Sequence, residues 1–138
     1  FAGLSKELDA LVDYMESIYV PISPSTDDRE MISKGNSVFV SLDCNVCHVP
    51  PLYTDRQLHD VGTGDISVER NSHGRGTMFD TPSLHGIWMT SPYFHDGSAD
   101  TLWDLLSMGT VHNVSGGLDD SELLALISFL ESLPSSEE

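Results

Sequence analysis

An all-α domain of few helices and long loops is what these 138 residues predict, on three observations. Apolar residues recur at helical spacing in three separated stretches, 4–18, 27–42 and 121–133. Between the second and third lie residues 49–97, with little periodicity, six glycines and four prolines. Both cysteines fall in one run, Cys44-Asn45-Val46-Cys47-His48, directly after the second stretch.

The first stretch carries Leu4, Leu8, Leu11, Val12, Met15 and Ile18 on one stripe, with Ser5 placed to cap it. Pro21-Ile22-Ser23-Pro24-Ser25 then reads as a linker. A second helix is predicted from Asp27, where Asp27 and Glu30 have capping-box spacing, to Leu42. Its face is Ile32, Gly35, Val38, Phe39 and Leu42. Glycine costs a helix stability, so Gly35 predicts close approach by another helix. A short helix fits Leu102 to Met108, capped by Thr101 with Asp104 and stopped by Gly109. The last helix fits Ser121 to Leu133, with Asp119 and Glu122 as capping box. Leu123, Leu126, Ile127 and Leu130 form its inner stripe, with Phe129 and Leu133 beside it. Trp103 reads as core.

Six basic against 22 acidic side chains give a net charge of −16. Such a field repels nucleic acid and anionic lipid and favours a basic partner. No apolar run reaches the ~18 residues of a membrane span. No basic start followed by an apolar core marks a secretion signal, and a chain starting at Phe1 reads as a processed or excised piece.

Three chemistries compete for the cysteine run. A thioredoxin-like pair wants a strand before it and a helix after it. Here a helix precedes it, and Val49-Pro50-Pro51 forbids one directly after. A structural zinc site needs about four ligands, and the run offers three, too few unless a distant histidine joins. The third reading is c-type haem attachment: two thiols bond the two vinyl groups, and the next histidine reaches the iron. The expectation is therefore one covalent haem c on Cys44 and Cys47, with His48 as axial ligand. Covalent attachment places a bacterial protein in the periplasm or outside the cell. A haem core also accounts for a loop as long as 49–97, unusual in a small domain. Helix, haem motif, loops and helix is the order of a class I cytochrome c, in which first and last helices cross.

The second axial position has candidates in Met78, Met89, Met108, His59, His73, His85, His95 and His112. Met15 and Met31 lie on helical stripes and read as core. Met108 ends the short helix ahead of the last one, where class I cytochromes carry their methionine.

Residues 79–98, "FDTPSLHGIWMTSPYFHDGS", then Thr101-Leu102 and residues 118–133 resemble the carboxy-terminal haem domain of bacterial di-haem cytochrome c peroxidases and MauG-type relatives. The stretch "CHVPPLYTDRQLHDVGTGD" resembles the segment that follows the haem motif there, so the likeness covers about residues 28–133. It implies Met108 as the distal ligand; the tyrosine of MauG-type relatives has no counterpart here. It implies that His95 lies near the haem edge without binding iron. It implies that the carbonyls of Thr90 and Pro92 fall where the family holds an interdomain calcium. Phe39, Pro51, Leu52, Tyr93 and Phe94 complete the expected haem contacts. His85 replaces the family's arginine, leaving Arg70 or Arg75 as substitutes. The carbonyl of Pro50 or Pro51 is the expected acceptor for the His48 Nδ1 hydrogen.

Family peroxidases use two haems, and this chain has one attachment motif. Residues 1–24 therefore read as the end of a preceding domain, and 25–138 as a mono-haem domain of a larger redox protein. Electron transfer through a His48/Met108 haem is the first functional expectation, to a redox partner or an upstream catalytic domain. The isolated domain is then no enzyme. The alternative is a peroxidase-like or ligand-binding haem with a labile distal ligand, using His95, Tyr93 or Trp88.

Overall fold

Two crossing helices make the core, and a single glycine lets them cross closely. The computed structural model describes residues 3, 5–19, 22–24, 28–64, 77–108, 111–114 and 116–134. Helix α2, Arg29–Ser41, buries Gly35, Val38 and Phe39. The carboxy-terminal helix α4, Asp120–Ser132, buries Leu123, Ala125, Leu126, Phe129 and Leu130. A Cβ built on Gly35 would stand 1.9 Å from the Ala125 carbonyl oxygen and 2.7 Å from Phe129 Cβ. The residue that weakens α2 is thus the one that admits α4. Phe39 and Phe129 close the crossing with ring centres 5.2 Å apart. Burial of a leucine such as Leu126, 1% exposed, contributes about 1.5–3 kcal/mol.

The caps follow the sequence closely. Ser5 accepts from the Leu8 amide at the head of α1, Lys6–Ser17. Thr101 and Asp104 form a capping box on the short helix α3, Leu102–Ser107. Asp119 and Glu122 form another on α4. Helix α2 starts one residue later than expected: Asp28 accepts from Met31 N at 3.0 Å, while Asp27 lies outside the described residues.

Three expectations need correction. Helix α1 has its apolar stripe but, among the described residues, buries none of it; Leu4 lies outside them. Met15 is 61% exposed rather than core. Trp103, on the outer face of α3, is 40% exposed rather than core. The long loop also holds a small antiparallel sheet, β1 (Leu58–Asp60) with β2 (Met78–Asp80), registered Leu58 to Asp80. Three-residue strands give too short an alternation to read from sequence. Among the described residues no helix is long and apolar enough to cross a membrane.

Candidate haem site

The cysteine run folds as a tight turn between α2 and the loop. Asp43 adopts a left-handed φ of 58° and opens a 3-10 turn over Cys44–Val46. The His48 amide donates to the Cys44 carbonyl at 2.9 Å, which brings both thiols and the imidazole onto one turn. Both cysteines are free thiols and half-buried. Burial pushes the Cys44 thiol pKa up, so the protonated form is favoured.

His48 donates from Nδ1 to the Tyr53 carbonyl at 3.0 Å. This overturns the expectation for Pro50 or Pro51: the Pro51 carbonyl instead accepts from His85 Nε2 at 2.9 Å. The difference arises at Tyr53, whose left-handed φ of 54° turns the chain back under His48. That conformation is costly for an aromatic residue and is held here by its surroundings. The bond makes Nδ1 the protonated nitrogen, a tautomer in which Nε2 could bind a metal. Burial lowers the His48 pKa, partly offset by the Tyr53 bond, which favours the neutral, metal-binding form.

A web of bonds holds the loop beneath His48. Ser83 Oγ donates to the Leu52 carbonyl at 2.7 Å, and Thr54 Oγ1 to the Thr81 carbonyl at 2.6 Å. Asp55 accepts from the Gln57 amide at 2.9 Å and pairs with His59 Nε2 at 2.7 Å. The Gln57 amide is the main cause holding the Asp55 carboxyl down at about 2. Ligand atoms of Cys47, Asp55 and His59 lie within 4.8 Å of one another. Cys47 is also one of the two cysteines of the Cys44–His48 run, so this cluster adjoins the same candidate site.

On the other side stands the loop after Pro92. Tyr93 and Ala99 form an isolated bridge that closes a tight turn through Phe94 and Gly97, both at positive φ. Tyr93 is buried in the main core, its hydroxyl donating to the Ile87 carbonyl at 3.1 Å. His95 points outward and stacks on Phe79, ring centres 3.9 Å apart. Thr90 and Pro92 are exposed. Phe94 faces inward, 5.8 Å from the His112 ring. His112 in turn lies 6.3 Å from the His48 ring, centre to centre. Burial lowers the His112 pKa, and His48 lowers it further.

The structure therefore brings Cys44, Cys47, His48 and Leu52 into one region. Phe39 sits at the α2–α4 crossing, its ring 5.9 Å from Tyr53. Met108 caps α3 and packs half-buried against the core. Met78 and Met89 are exposed, at 39% and 47%. His73, Arg70 and Arg75 lie outside the described residues. Sequence reasoning missed the Tyr53 carbonyl, since any residue carries one, and the Asp55–His59 pair. The i, i+4 spacing of that pair was its only signal.

These residues fit a haem. A neutral imidazole nitrogen and two thiols share one turn. Half-buried Tyr53, Ile87, Phe94, Leu105, Met108 and Val114 fringe the core. Among the described residues Trp88 Nε1 and Ser107 Oγ are enclosed with no hydrogen-bond partner, which is costly unless something meets them.

Comparisons with known proteins agree. Residues 78–111 match the family described as RoxA-like, cytochrome c-like. The hydrazine synthase subunit gamma of Kuenenia stuttgartiensis is 28% identical over 91% of this chain and 48% of its own length. The methylamine utilization protein MauG of Methylorubrum extorquens is 30% identical over 65% of this chain and 30% of its own. The cytochrome c551 peroxidase of Nitrosomonas europaea is 28% identical over 72% and 33%. The chain thus spans about half the length of the first of these and about a third of the others. A solved Kuenenia stuttgartiensis hydrazine synthase chain superposes with TM-score 0.69 at 27% identity, over 94% of this chain and 56% of that one. A MauG-like protein associated with microbial copper homeostasis gives 0.66 at 20% identity, over 98% and 59%, which speaks for the fold alone. The chain is a cytochrome c-like haem domain related to the cytochrome c peroxidase and MauG family.

Proposed function

We propose that this chain is an electron-transfer domain with one haem c, bound covalently through Cys44 and Cys47. Each thiol adds across a vinyl group, sulfur to one carbon and hydrogen to the other, giving two thioethers. His48 would hold the iron on one side. A second ligand would come from the segment after α3, where the resemblance implies Met108. The haem supplies a one-electron ferric–ferrous couple. The chain's own part is to fix the His48 ring through Tyr53, to exclude water with the half-buried apolar fringe, and to hold the distal side chain in place. The observation that carries this reading is the His48 Nδ1 bond to the Tyr53 carbonyl. It orients an imidazole on the same turn as two free thiols.

The unburied stripe of α1 supports a place beside a further domain of a longer redox protein. The net charge of −16 supports a basic electron-transfer partner. Covalent haem attachment in bacteria occurs on the exported side of the membrane, so the domain works in the periplasm or outside the cell. A reversible one-electron redox titration of the purified holoprotein, with no turnover of peroxide, is the expected result. Rapid peroxide consumption would instead favour a second reading, a peroxidase-like haem with a displaceable distal ligand. That reading draws on the relatives named as cytochrome c551 peroxidase and cytochrome c peroxidase.

A further inference from the structure

We infer that His112 is the distal axial ligand, facing His48 across the iron, so that the centre is bis-histidine. This rests on the haem-domain reading above and changes the residue that closes the iron. A metal–imidazole bond is about 2 Å long, so two imidazoles on opposite sides of one iron hold their nitrogens about 4 Å apart. Each ring centre lies about 1 Å behind its nitrogen, which makes about 6 Å between centres. The two rings stand 6.3 Å apart, with planes at 48° to each other. Two axial imidazoles can take any angle about their shared axis, so the tilt fits.

The surroundings point the same way. His48 has Nδ1 bonded to the Tyr53 carbonyl at 3.0 Å, and the Pro82 carbonyl also interacts with its ring. His112 Nδ1 is shut off from solvent, and the Phe94 ring flanks the imidazole at 5.8 Å. The His112 segment is tied down as well. The Val114 amide donates to the Leu106 carbonyl at 3.0 Å, and the Gly117 amide to the Val114 carbonyl at 3.0 Å. Both imidazoles are half-buried, and at 6.3 Å between centres they are spaced as two ligands of one iron would be rather than as a stacked pair. Met108 is accounted for by packing against the core, the commoner use of a methionine.

The test is the ferric spectrum of the holoprotein, recorded after denaturing mass spectrometry has shown whether a haem is attached. A chain without attached haem would overturn the underlying reading, independently of the ligand. With haem attached, a low-spin spectrum lacking the weak far-red sulfur-to-iron band is expected. His112→Met should then bring that band up and raise the potential, since methionine ligation favours the ferrous state. Met108→Leu should leave band and potential as in the wild type. A wild-type far-red band that disappears in Met108→Leu overturns the proposal, and so does a high-spin wild-type spectrum. The wild-type spectrum decides alone if a variant fails to fold.

Discussion

Asp55 shows how one side chain stiffens the loop that follows His48. It receives the Gln57 amide and pairs with His59, and its carboxyl is held down at about 2 from an ordinary 3.8. A depressed acid adds stability that is complete above its unfolded pKa and fades as pH falls through the folded one. Asp55→Asn should therefore be less stable than wild type at about pH 6, with the gap closing toward about pH 2. Denaturant titrations across that range would check it; a gap that widens in acid would contradict the sign. The Asp55 pairing was visible in the sequence only as an i, i+4 spacing. The Tyr53 carbonyl was not visible at all, because its role comes from a left-handed turn and not from a side chain. His112 was among the sequence candidates, but spacing and resemblance both favoured Met108. Only the folded loop brings its ring to His48.

Among the elements, α2 and α4 hold the domain together, and α1 does not. Gly35→Ala would drive a methyl into the Ala125 backbone. Overpacking against backbone costs about 3 kcal/mol, the upper end of such changes, and chemical denaturation would read it. Leu11→Ser on α1 removes a side chain that is 51% exposed and should change stability by less than about 0.5 kcal/mol. A larger loss there would mean that α1 packs on this domain. The α2 and α4 stripes, the caps at Ser5, Thr101 and Asp119, and the need for a small residue at Gly35 could all be read from periodicity and spacing. The fate of the α1 stripe could not, since an amphipathic pattern says that a face wants a partner and not where the partner is. The β1–β2 pair was hidden for another reason: three-residue strands are set by loop closure and by bonds such as Thr77 Oγ1 to Asp60, not by alternation.

At the scale of the whole molecule, the chain carries a net charge of −16. Electron exchange with a basic redox protein should slow steeply as salt rises, because steering by exposed charge is screened within ~10 Å at 0.1 M. Exchange with a neutral small-molecule oxidant should hardly change; equal salt dependence for both would remove any docking role for the charge. All of this presupposes the covalent cofactor, which a denaturing mass spectrum tests most directly. The chain, produced in a host that attaches haem c, should appear at its own mass plus one haem. The Cys44→Ala, Cys47→Ala double variant should appear as bare polypeptide. A wild-type chain that appears as bare polypeptide would contradict the account.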